Sequence, residues 1–102
     1  MVKIKTQEEF NSFITENDKC VVKLGAPWCG PCRLVADNIQ QVENEMPEAK
    51  FCDIDVEEAD TDFVDGFHVR NIQVLIVYNN GTEVTRSVGL KTVEELKGFF
   101  KN

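Results

Sequence analysis

The chain is short of basic residues, of proline and glycine, and of long apolar runs, and each shortage excludes a class of protein. Eleven Lys and Arg stand against eighteen Asp and Glu, a formal net charge of -7. That balance excludes a general nucleic-acid binder, which needs a basic face for phosphates. It also disfavours attraction to an anionic lipid surface. Three prolines and six glycines in 102 residues are too few for a linker-like chain. No stretch reaches the ~20 apolar residues that a membrane helix needs. Met1 to Phe10 carries Lys3, Lys5, Glu8 and Glu9 without an apolar run, so it does not read as a secretory leader. The expectation is therefore a protein of the reducing cytosol, with neither membrane nor nucleic acid as a partner. No repeat, low-complexity segment or domain boundary interrupts the chain, and its length suits one small domain over residues 1–102.

Apolar periodicity supplies the elements. Val2-Lys3-Ile4 alternates as a short strand. Thr6 followed by Glu9 is a capping box that opens a helix burying Phe10, Phe13 and Ile14, ending near Asn17-Asp18. Cys20 to Ala26 reads as a strand buried on both faces, interrupted only by Lys23. Val35, Ile39, Val42 and Met46 form one stripe of a long helix stopped by Pro47. Phe51 to Asp55 is the next strand, and Ala59, Phe63 and Phe67 share a helical face after it. Val74 to Tyr78 and Thr82 to Val88 flank Asn80-Gly81, a hairpin dipeptide. Thr92 and Glu95 repeat the capping box before a last helix with Val93, Leu96 and Phe100 inward. The order β-α-β-α-β-α-β-β-α predicts an α/β mixed sheet with helices on both faces.

Four cysteines remain to be placed. Cys29-Gly30-Pro31-Cys32 falls where the second strand hands over to the longest helix. Two thiols separated by two residues close a small ring with little loop entropy to lose. Cys29, at or just before the helix start, meets the partial positive charge of free N–H groups, which favours the thiolate nucleophile. Cys32, one turn inside, suits a resolving role. Gly30 and Pro31 make a stiff turn that the first helical turn tolerates, and Trp28 offers a flat apolar surface beside the nucleophile. Zinc would need two further clustered ligands, whereas Cys20, Cys52 and His68 are scattered. A CxxC at a strand-to-helix junction reads instead as a redox pair. Cys20 and Cys52 fall on strands as core fillers. His68 and the acidic run from Asp53 to Asp65 read as solvated, the latter with a capacity to steer partners.

The run Trp28 to Cys32, WCGPC, resembles the thioredoxin signature. The similarity extends over the strand VVKLGAPWCGPC, the DIDVEE segment at 53–58, VRNIQVLIVYNNG at 69–81 and the SVGLKTVEEL ending. The resemblance implies a thioredoxin fold, a five-stranded mixed sheet flanked by four helices. It also implies dithiol–disulfide exchange on disulfide-containing protein substrates, with electrons passed on from a thioredoxin reductase. Cys29 would be the nucleophile and Cys32 the resolving thiol, in a monomer with no bound cofactor. Trp28, Ile72, Gln73, Val88 and Gly89 would form the substrate-contact surface.

Three positions depart from that family pattern. Lys23 stands where the family has a buried Asp, Asp37 where it has a helix-kinking Pro, and Gln73 where it has a cis-Pro. A cis bond before Gln73 would cost about 2.5–4 kcal/mol, so a trans Ile72-Gln73 bond is expected. A cation at position 23 should favour the thiolates and make the protein less reducing, unless the lysine stem carries its charge out to solvent. Lys23 and Asp37, changed together with opposite sign, are expected to pair. Loss of the family's proline also leaves open iron–sulfur or other metal capture by the two thiols of a dimer. Use of the fold as a protein-interaction module is a further alternative.

Overall fold

In the computed structural model, which describes residues 1–70, 73–89 and 91–101, nine elements follow the predicted order. They are β1 (Val2–Lys3), α1 (Gln7–Glu16), β2 (Lys19–Gly25), α2 (Gly30–Glu43), β3 (Lys50–Asp55), α3 (Thr61–Asp65), β4 (Val74–Asn79), β5 (Thr82–Val88) and α4 (Val93–Phe100). The strands form one mixed sheet in the order β1-β3-β2-β4-β5. β2 runs parallel to β3 and antiparallel to β4, which places it at the centre of the sheet.

Because side chains alternate along a strand, the apolar run of β2 feeds two cores. Cys20, Val22 and Leu24 join Cys52, Ile54, Val74 and Ile76 on one face, under Phe10 and Phe13 of α1 and under Phe63 and Phe67. Val21 joins Phe51, Leu75 and Val77 on the other, under Val35, Ile39 and Val42 of α2 and Leu96 and Phe100 of α4. Each fully buried side chain of this size contributes about 1.5–3 kcal/mol. Lys23, two residues on from Val21, therefore points to the α2 face.

Both capping boxes form. Thr6 Oγ1 accepts from the Glu9 N–H at 3.2 Å while Glu9 Oε1 accepts from the Thr6 N–H at 3.1 Å. Thr92 and Glu95 repeat the same two bonds at 3.2 and 3.1 Å. The Asn80-Gly81 turn has both residues at positive φ, 51° and 82°, the backbone that a two-residue hairpin requires. Asn38 Nδ2 donates to Lys91 O at 2.8 Å and ties α2 to the segment before α4.

The third helix is shorter than the Ala59–Phe63–Phe67 periodicity predicts. The Ala59 N–H donates to Asp55 O and the Asp60 N–H to Lys5 O, holding the approach as a turn. Gly66 then caps α3 after five residues, and His68 takes a left-handed φ of 55° that redirects the chain. Ala59, Phe63 and Phe67 are buried all the same, so the pattern reports the core face correctly and the helix length wrongly. Similarly, α2 ends at Glu43, and a tight turn carries Met46 onto its core face.

The Lys5 N–H and then Thr6 hold the Glu9 carboxyl below its usual range, and the Thr92 N–H and hydroxyl do the same for Glu95. A depressed carboxylate adds stability that is present above its unfolded pKa and lost as pH falls through the folded value. Replacing Thr6 by Ala is expected to cost about 1 kcal/mol in denaturant unfolding at neutral pH. The double change Glu9→Gln with Glu95→Gln should lose less stability than the wild type between neutral pH and the carboxylate range.

Candidate active site

Cys29 is the N-cap of α2, with an extended backbone that lets its Sγ accept from the Cys32 N–H at 3.2 Å. Cys29 and Cys32 are joined as a disulfide, with their α-carbons 5.2 Å apart. The loop ahead of the pair is fixed twice: the Cys29 N–H donates to Ala26 O, and Arg33 Nε donates to Pro27 O at 2.8 Å. Pro31 sits in the first turn, where its missing N–H leaves no gap. Cys29 retains 8% exposure and Cys32 only 2%. Cys29 is thus the more accessible sulfur of the pair, with Cys32 behind it. In the thiolate form, the Cys32 N–H and the positive end of the 14-residue helix would both stabilise the charge on Cys29.

The rim is apolar and open. Trp28 is 60% exposed and Val88 52%, so Val88 is surface rather than core, and Gly30 and Pro31 are also exposed. Gly89 takes a φ of 96°, a backbone suited to glycine, and its N–H donates to Gln73 O at 3.0 Å. Ile72, and with it the expected trans Ile72-Gln73 bond, lies outside the described residues.

Behind the disulfide, one alternative is set aside and one expectation is corrected. Lys23 does not carry its charge to solvent. Its side chain is 7% exposed, and Nζ meets Asp53 Oδ1 at 3.1 Å. Nor does it pair with Asp37, which is exposed and makes no ion pair among the described residues. Asp37 falls off the Val35–Ile39–Val42 stripe and is exposed on α2. Asp53 is Lys23's direct neighbour in the parallel β2–β3 register, on the same face, which is why it takes the charge.

Gly25 completes this arrangement. A β-carbon there would lie 3.0 Å from Cys32 Sγ and 3.1 Å from Lys23 Nζ. Both atoms therefore crowd the same point, and they are within about 6 Å of one another, close enough for a cation to favour a thiolate. A cavity of about 280 Å³ reaches this spot, with Lys23, Asp53, Gly25 and Cys32 in its lining, large enough for water to approach the Cys32 sulfur.

Reading the sequence alone missed Asp53 and Gly25. The signal for Asp53 was available: a lysine inside an otherwise apolar central strand needs a buried counter-charge, and the alternation in Asp53-Ile54-Asp55 offers one. The signal for Gly25 was a glycine in the strand that feeds the helix.

The other two cysteines are apart from this site. Cys20 and Cys52 are fully buried in the opposite core. Burial, helped by Asp18, pushes the Cys20 thiol up to about 11. Burial, followed by Cys20 and Asp53, raises Cys52 as well. No group of three His, Cys, Asp or Glu suited to a metal ion occurs among the described residues, and His68 is exposed.

A disulfide between a helix N-cap and a residue one turn inside, seated on the end of a central strand, defines a thiol–disulfide oxidoreductase. Similar proteins agree on the family. The family model described as Thioredoxin matches residues 1–102. Thioredoxin-1 of Saccharomyces cerevisiae is 35% identical over 87% of this chain and 85% of its own. A thioredoxin of Chlamydia pneumoniae is 36% identical over 94% and 92%. Among solved structures, Fasciola hepatica thioredoxin superposes with a TM-score of 0.91 at 27% identity, covering 99% of this chain and 97% of that one. Plasmodium falciparum thioredoxin gives 0.90 at 26% identity with the same coverage. The chain belongs to the thioredoxin family and is a protein-disulfide oxidoreductase. No helix among the described residues is long and apolar enough to cross a membrane.

Alkylation of the reduced native protein at neutral pH should label Cys29 fast and Cys32 slowly, leaving Cys20 and Cys52 unlabelled until denaturant is added. Peptide mapping by mass spectrometry reads the order. Removing the carboxylate by Asp53→Leu strands a buried ammonium and should destabilise the fold by about 3 kcal/mol, the low end for a buried pair because Asp53 keeps 27% of its side chain in water.

Proposed function

We propose that this protein reduces disulfides of protein substrates by dithiol–disulfide exchange. The carrying observation is Cys29 at the α2 N-cap, its sulfur already accepting the Cys32 N–H. In the reduced protein the Cys29 thiolate attacks one sulfur of a substrate disulfide, forming a mixed disulfide and releasing the first substrate thiolate. Cys32 then attacks Cys29 Sγ, the mixed bond breaks, and the second substrate thiolate leaves. Two electrons have moved to the substrate and the Cys29–Cys32 disulfide remains. A thioredoxin reductase returns those electrons, so a monomer of this chain serves as a soluble electron carrier in a reducing compartment.

Trp28, Ile72, Val88, Gly89 and the main chain at Gln73 supply the docking rim, and the exposure of Trp28 and Val88 supports this, whereas the Gln73 side chain is buried. Gly30 and Pro31 hold the turn. Lys23 tunes the pair. A unit charge within about 6 Å, at an effective dielectric of ~20, is worth at least about 3 kcal/mol, and Asp53 beside the same ammonium offsets part of it. The net effect favours the thiolates, so the reduced state is stabilised and the protein is a weaker reductant than a chain with a carboxylate at this place.

Insulin reduction driven by dithiothreitol tests the exchange. Cys29→Ser should abolish the acceleration, and Cys32→Ser should accumulate a mixed disulfide visible on non-reducing gels. Full retention of cellular function by Cys29→Ser would instead mark an interaction module. The neutralised pair Lys23→Met with Asp53→Asn should shift the pH profile of insulin reduction upward by about one unit.

A further inference from the structure

Gln73 is 5% exposed, and both its Oε1 and Nε2 are buried without a hydrogen-bond partner among the described residues. A desolvated primary amide with nothing to bond is costly, and a fold that keeps one invites the question of which state satisfies it. The strand registers locate the side chain. β4 alternates with Val74 and Ile76 toward the α1 core and Leu75 and Val77 toward the α2 core, so position 73 falls on the α2 face. The β2–β4 register pairs Leu24 with Val74, and one step further brings Gly25 beside Gln73. On the opposite side of Gln73 lies Gly89, whose N–H bonds to Gln73 O. The amide is thus flanked by two residues without side chains. Beside Gly25 sits Cys32 Sγ. Lys23 Nζ approaches the same point along β2, but it has Asp53 as its partner.

The geometry points to Gln73 as a positioning residue for the resolving cysteine: its amide N–H donates to Cys32 Sγ once the disulfide has opened. In the oxidised protein that sulfur is committed to Cys29 and is a poor acceptor. Reduction by a dithiol breaks the S–S bond, moves two electrons to the pair, and leaves Cys32 as a thiol or thiolate, while the reductant becomes a disulfide. A thiolate accepts strongly from an amide, so the partner that Gln73 Nε2 lacks is created by reduction itself. The residue then favours the dithiol state, in the same direction as Lys23 but by a hydrogen bond rather than by charge. This rests on Cys29 and Cys32 being the redox pair, though not on the identity of any protein substrate.

The test uses no protein substrate, so its failure is distinguishable from failure of the proposed activity. The full chain and its Gln73→Met variant, which keeps side-chain length and removes both amide groups, are equilibrated with a dithiothreitol redox buffer. The variant's equilibrium should move about tenfold toward the disulfide, the size of one hydrogen bond to a charged sulfur. Oxidised Gln73→Met should melt no lower than the oxidised wild type, whereas its reduced form should melt below the reduced wild type; a purely structural role would move both forms alike. An equilibrium within twofold of wild type overturns the proposal. The unmodified protein offers an independent measurement. On reduction, a Gln73 side-chain amide proton should shift downfield in the NMR spectrum, and the shift should be lost in reduced Cys32→Ala. Amide protons unchanged between the two redox states would also overturn it.

Discussion

The first turn of α2 rests on β2 at Gly25, where even a β-carbon would be tightly packed. Cys32 Sγ and Lys23 Nζ both come within 3.1 Å of where a β-carbon would stand. This close approach sets the rest of the site. It brings the helix N-terminus down onto the strand end, leaves Cys32 only 2% exposed with Cys29 nearer the rim, and places an ammonium near Cys32 Sγ. The sheet supplies the rigidity. β2 is hydrogen-bonded on both sides, to β3 and to β4, so the floor beneath the disulfide cannot yield without disturbing two cores.

Charge is arranged on this floor in an order that a chain-wide count does not reveal. The net charge of -7 describes mostly solvated carboxylates of the surface. The single buried cation, Lys23 among the described residues, is the one that bears on sulfur chemistry, and Asp53 is what allows it to stay buried. A buried ion pair of this kind is weak evidence for net stability, because desolvating two charges offsets their attraction. Its value lies in holding an ammonium at a defined place behind Cys32.

Much of the fold was legible in the sequence because it is written locally. Thr6 with Glu9, Thr92 with Glu95, and Asn80-Gly81 each specify a cap or a turn within four residues. The CxxC announces the start of α2 and the reactive pair, and Cys20 and Cys52 read as core from their place in apolar strands. What was not legible depends on register between distant segments. The partner of Lys23 lies thirty residues away on a parallel neighbour; the sequence calls for a buried counter-charge, but choosing Asp53 over the sequence-nearer Asp37 takes the β2–β3 register. The length of α3 was misread for a related reason: the periodicity of Ala59, Phe63 and Phe67 records burial, while backbone bonds to Lys5 and Asp55 decide where the helix begins.

The proposed exchange requires that the reduced pair carry a stabilised thiolate on Cys29, and ultraviolet thiolate absorbance of the reduced protein during a pH titration measures this directly. Cys20 stays protonated up to about 11 and Cys52 is raised as well, so the first transition belongs to the active pair. The account predicts that it falls clearly below the ~8.5 of a free cysteine thiol. A first transition at or above that value would contradict it.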